Sequence, residues 1–208
     1  MIILKYRKTG SARYISHIDV LRGMGRILRR AGLEPTFSQG FNPHMNLYFS
    51  PPIALGLGSV AEYMAVDIPE VSPEDFLKKY NAAAPDGLKG ISAEYAEKNP
   101  NFAANVKAFV YRTELKGSAE ALAKIEKIKD VYNITYTQKG ETVTKDVGAL
   151  IRKIERRGDS EFFFTLAAGA EVLRPDRLLK QLEVDFGIEY SLPEVTKTEQ
   201  LFGVDNPR

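Results

Sequence analysis

Four arginines, Arg22, Arg26, Arg29 and Arg30, recur within the stretch "HIDVLRGMGRILRR". At 100° per residue they fall on one side of a helix, opposite a broad apolar arc of Val20, Leu21, Met24, Ile27, Leu28 and Ala31. Like charges spaced i,i+4 destabilise a helix by a few tenths of a kcal/mol. Only Asp19 and Glu34 stand near enough in sequence to neutralise them. The helix uses arginine throughout and no lysine, which suits planar, bidentate recognition of phosphate or carboxylate. Two readings fit the stripe: a solvated surface face, or an anion-binding surface. Gly23 and Gly25 each cost about 0.5–1 kcal/mol relative to alanine in a helix interior. Close packing on a sheet and close approach of a ligand are the two reasons for tolerating them.

The helix runs into "FSQGFNPH", residues 37–44. A plain helix-to-strand connection needs a handful of polar residues. This one offers Ser38, Gln39, Asn42 and His44, with Phe41 available to stack on a base. Gly40 permits a positive φ, and Pro43 pushes Asn42 towards an extended geometry. The alternative is a well-formed turn in which Asn42 bonds its own backbone. The chain has two histidines, His17 at the helix start and His44 in this loop, and they are the candidates for acid–base catalysis. His17 lies at the edge of the apolar arc, so a half-buried structural histidine is the other reading. Two histidines and no cysteine offer little to a metal, and no metal or cofactor is expected. Ser16 and His17 are adjacent and cannot readily face each other, and no G-x-S-x-G elbow is present. "GLGSVAEY" lacks the lysine and glycine spacing of a phosphate loop.

The 208 residues are 44% hydrophobic and 27% charged, enough to bury a core without a metal or disulfide. The opening "MIILKYRKTG" is too short in apolar residues for a signal peptide or a spanning helix, and a cytoplasmic protein without a membrane partner is expected. The net charge of +2 is unevenly spread. Residues 1–52 carry Lys5, Arg7, Lys8, Arg13, Arg22, Arg26, Arg29 and Arg30 against Asp19 and Glu34, a balance of +6 that leaves −4 for the remainder. A local concentration of charge points to a local anionic partner.

The elements that must hold these residues read in order. "IILKYRKT" is a strand. A helix capped by Ser16, with Asp19 as a capping-box partner and Ile15 and Val20 as a staple, is closed by Gly32. "HMNLYFS" and "SVAEYMAVDI" are strands. A helix follows from the Ser72 cap and Pro73, and then the strand "LKGISAEYAEK". This strand, helix, strand, strand, helix, strand order is the split βαβ pattern. The polar "NPNFAAN", residues 99–105, is expected as a linker. The second half repeats the theme: strand 107–115, helix 118–130, a hairpin at Lys139-Gly140, a strand pair turning at Gly158-Asp159, helix 174–187 and a last strand. The expected fold is α+β, two tandem ferredoxin-like (split βαβ) domains with antiparallel sheets. They span residues 1–98 and 106–208, and the second has extra strands.

"KTGSARYISHIDVLRGMGRILRRAGL", "FSQGFNPH", "LYFSPPIALGLGSVAEYM" and "LRPDRLL" together resemble the radical-SAM-linked protein family, a bacterial domain of unknown function. That domain stands free or is fused to the C-terminus of a cobalamin-binding radical SAM protein. The resemblance implies such a protein as partner, and its gene setting implies by association a link to RNA or translation. The tandem arrangement is also similar to the CRISPR repeat-processing ribonucleases, which use a histidine with Tyr or Ser; Tyr14, His17 and Ser38 would take those roles. The reading that follows is a non-catalytic RNA-binding accessory module for structured RNA or tRNA. Its binding residues would be Arg13, Arg22, Arg26, Arg29, Arg30, Ser38, Gln39, Phe41, Asn42 and His44. The alternatives are a metal-independent ribonuclease or RNA-modifying enzyme using His17 or His44, and a protein–protein adaptor.

Overall fold

The structure is a computed structural model that describes residues 1–128, 130–169 and 171–203. It is a mixed α+β protein whose strand pairings are mostly antiparallel, with five α-helices among the described residues. The chain divides into two compact units, Met1–Val106 with the chain end from Phe202, and Lys107–Leu201.

In the first unit, β1 (Ile2–Lys8), β2 (Leu47–Phe49), β3 (Gly58–Val66) and β4 (Gly90–Tyr95) pair in the order β4-β1-β3-β2, every neighbouring pair antiparallel. Register follows the period-2 alternation of β1: Leu4 stands opposite Met64 on one side and Ala93 on the other. Ile2, Leu4, Tyr6, Met64 and Val66 pack against helices α1 (His17–Arg30) and α2 (Pro73–Ala83) through Val20, Met24, Ile27, Leu28, Phe76 and Tyr80. On the opposite face Ile3 and Ala65 meet Phe102, with Tyr63 and Phe202 packed around them. The alternation in "IILKYRK" therefore builds two small cores on one sheet.

The expected linker takes part in the second of these. Residues Phe102–Asn105 form a short helix, α3, and Phe102 is buried, its ring 5.9 Å from Tyr63 and 5.8 Å from Phe202. A polar sequence with one aromatic hid an anchor. The expected strand over 44–50 also shortens to Leu47–Phe49, because the residues before it are occupied in the loop described below.

In the second unit the main strands are β5 (Val106–Lys116), β8 (Ile151–Arg157), β9 (Glu161–Ala167) and β11 (Thr196–Phe202), in the order β11-β5-β9-β8. The two-residue β10 (Glu189–Tyr190) also pairs with β5. The hairpin β6 (Asn133–Gln138) and β7 (Glu141–Asp146) turns through positive φ at Lys139 and Gly140, as its sequence requires. It leans on α5 (Pro175–Phe186): the Thr135 N–H donates to Gln181, the Tyr132 hydroxyl to Asp185, and Arg177 lies 3.9 Å from the Tyr136 ring centroid. Helix α4 (Ala119–Ile125) keeps its Ser118 cap but stops well short of residue 130, since no glycine or proline fixes its end. Lys129 of that expected helix, and residues 204–208 of the expected second domain, lie outside the described residues. No described helix is long and apolar enough to cross a membrane.

Candidate functional site

Helix α1 is fixed at both ends by its own sequence. The Ser16 hydroxyl oxygen accepts from the Asp19 N–H at 3.2 Å, and the same hydroxyl donates to the Asp19 carboxylate at 2.7 Å. At the other end Gly32 has φ +64°, its N–H bonds the Arg29 carbonyl, and the Leu33 N–H reaches back to the Leu28 carbonyl at 3.0 Å. That pair of bonds is the Schellman closure, which needs a residue at ease in the left-handed region. With the ends fixed and Val20, Met24, Ile27 and Leu28 buried, the rotation of the helix about its axis is set. Arg22, Arg26 and Arg29 are thereby exposed together.

The segment after α1 returns as a narrow, hairpin-like loop. At its base the Thr36 hydroxyl donates to Asp67 at 2.6 Å, and the Asn46 side-chain amide donates to Thr36 at 2.8 Å. Above them Phe37 bridges Met45. Above that, the Ser38 N–H donates to the His44 carbonyl at 2.8 Å, and the Ser38 hydroxyl accepts from the His44 N–H at 3.0 Å. The tip, 39–43, turns at Gly40 with φ +124°, and Phe41 at its apex is wholly exposed.

Between this loop, β2 and α1 lies a cleft of about 730 Å³. Arg22, Arg26 and Arg29 line it with both histidines, His17 and His44; the apolar wall is Leu21, Phe37, Pro43, Met45, Leu47 and Phe49, with Gly25 among them. None of its described lining residues is acidic. Arg22 has Asp19 at 3.6 Å, an exposed i,i+3 pair whose attraction is mostly screened by water. Gly25 has no packing reason to be glycine: a Cβ there would meet only the Met45 sulfur, at 3.5 Å, and at Gly23 it would meet nothing within 4 Å.

His17 lines the cleft with its ring edge-on to Phe49, centroids 6.0 Å apart. Partial burial holds its imidazole below the ordinary pKa; the negative charge of buried Glu62 opposes this, and buried Lys8 adds to it.

Several expectations need correction against this geometry. Leu21 is half-buried in the cleft wall rather than in the core. Arg30 turns away from the stripe and donates to the Ala83 carbonyl at the end of α2, at 3.1 Å. Arg13 lies in the 3-10 turn Gly10–Tyr14, half-buried, with its Nε bonded to the Gly10 carbonyl. Ser38 braces the loop rather than facing a ligand, while Gln39, Phe41 and Asn42 are on the exposed tip. Glu62, outside the cleft lining, is buried, accepts from the Ile53 N–H at 3.2 Å, and acts on His17 through its charge, a contribution no sequence reading above assigned it. Tyr14 is exposed and is not among the lining residues. The apolar wall has no counterpart among the sequence expectations, although Gly25 in the helix interior carried a signal of it.

A family model described as "Uncharacterized protein conserved in bacteria (DUF2344)" matches residues 1–175. The chain belongs to that family. No curated protein matches it.

Proposed function

We propose that the first unit is an RNA-binding module without chemistry of its own, working with a cobalamin-binding radical SAM protein on structured RNA or tRNA. The observation that carries this reading is the cleft. Three arginines line one concavity that has no carboxylate among its described lining residues, beside a loop that holds a bare phenylalanine at its tip. Arginines supply phosphate contacts, and an exposed aromatic supplies a stacking face that any base accepts. The sequence resemblance, rather than the geometry, supports the radical SAM partner. The strand orders β4-β1-β3-β2 and β11-β5-β9-β8 favour reading both units as ferredoxin-like, the second with its inserted β6–β7 hairpin.

A ribonuclease reading draws on one observation, that His17 and His44 line the same cleft. General acid–base work needs both groups within hydrogen-bond reach of one substrate. His17→Ala and His44→Ala proteins assayed on RNA distinguish the two: cleavage by the parent chain that either change abolishes favours the enzyme. For the binding module, photo-crosslinking to tRNA followed by peptide mapping should mark 14–30 and 37–49. Crosslinks confined to the second unit would remove the basis for the proposal.

A further inference from the structure

A basic face alone would suffice to hold a phosphate backbone. The cleft on α1 has more than that, and the surplus is apolar. Leu21, Phe37, Met45 and Phe49 line it together with the arginines, and space among them is left open by a glycine that packing does not require. The convex backbone of a duplex has no use for such a wall, and the bases of an A-form helix are turned away from it. An unstacked nucleotide has one flat apolar part and one anionic part, which is the division the cleft presents. We propose that this cleft takes a single unstacked nucleotide, its base against the apolar wall beside Gly25 and its phosphate on Arg22, Arg26 and Arg29. The proposal rests on the RNA reading above and names the part of the RNA that the site holds. His17, whose partial burial favours the neutral imidazole and whose ring is edge-on to Phe49, then offers the cleft a hydrogen-bonding group for the sugar or base edge.

A free mononucleotide and a looped-out nucleotide in a strand share this chemistry. The test therefore titrates the whole chain with hexa-adenylate RNA, with AMP and with inorganic phosphate. The proteins compared are the parent, Gly25→Leu, Phe37→Ala and the triple change R22Q/R26Q/R29Q. Gly25→Leu fills the apolar half without touching charge, and should weaken hexa-adenylate binding roughly tenfold or more while leaving its salt dependence unchanged. Phe37→Ala, on the same apolar lining and at an exposed position, should act in the same direction and keeps the test valid if Gly25→Leu does not fold. AMP should outcompete inorganic phosphate; if AMP also displaces the RNA, the free nucleotide is a ligand, and if only the strand depends on Gly25, the nucleotide comes from a strand. Phosphate competing as well as AMP would overturn the proposal. So would Gly25→Leu and Phe37→Ala proteins that bind hexa-adenylate like the parent while the triple change has lost it; the RNA reading would then survive alone. If the triple change also binds normally, both fall.

Discussion

His17 is a lining residue of the cleft whose pKa is shifted by its surroundings. Partial burial lowers its pKa and favours the neutral imidazole, against the pull of Glu62 and with the help of Lys8. A phosphate seated on Arg22, Arg26 and Arg29 would add negative charge nearby and favour the imidazolium. The His17 pKa should therefore rise when AMP or RNA binds, and affinity should strengthen as pH falls through the free-state value. Imidazole resonances followed by NMR through a pH titration, with and without AMP, check this; an unmoved His17 would place the anion elsewhere. The same shift bears on stability. The folded-state pKa lies below the unfolded value of about 6.5, so His17 is no burden above that pH, and stability declines as pH falls from there towards the folded value. His17 is only partly buried, so that slope should be shallow.

At the scale of elements, the caps at Ser16, Ser72 and Gly32 are legible in the sequence, and Ser118 and Gly187 follow the same pattern: the three serines each accept from the backbone N–H three residues on, and both glycines take positive φ after their helices. Caps of this kind are local chemistry. What sequence did not give was set by contacts from far along the chain. The loop 37–45 carries a ladder of side-chain bonds reaching Asp67, which shortens β2, and no neighbouring residue foretells it. Arg30 belongs to the stripe by periodicity, but a carbonyl on α2 draws it aside. The apolar wall was hidden for the same reason, since Phe37, Met45, Leu47 and Phe49 come from two segments that only the folded chain brings against α1. Ser38 braces the loop tip through the His44 N–H, so Ser38→Ala removes one exposed hydrogen bond, worth about 0.5–1.5 kcal/mol. It should leave the fold intact, raise hydrogen exchange in residues 38–44 and weaken RNA binding several-fold by loosening Phe41. Unchanged exchange in that loop would show that Ser38 does not brace it.

For the whole molecule, two units share one pattern of strand order while charge does not distribute evenly between them. The +6 balance falls in residues 1–52, which also hold α1, the loop and the cleft. The first unit is closed by residues well outside its sequence core, Phe102 from the segment expected as a linker and Phe202 from near the chain end. Phe102→Ala should cost about 3–5 kcal/mol, as for other buried phenylalanines, read as a shift in the urea midpoint. A loss below about 1 kcal/mol would mean that residues 99–105 are a tether and not part of the core. The central claim is that the arginine face of α1 holds RNA by its phosphates, and its most direct measurement is affinity against salt. Each arginine–phosphate contact on a single strand contributes about 0.7 to the slope of log affinity against log salt. Arg22, Arg26 and Arg29 lie away from the buried arc, so changing all three to glutamine should keep the fold. The parent chain should bind single-stranded RNA with steep salt dependence, and R22Q/R26Q/R29Q should flatten that slope by about two units. Binding that is insensitive to salt, or that survives the triple change with its slope intact, would contradict the account.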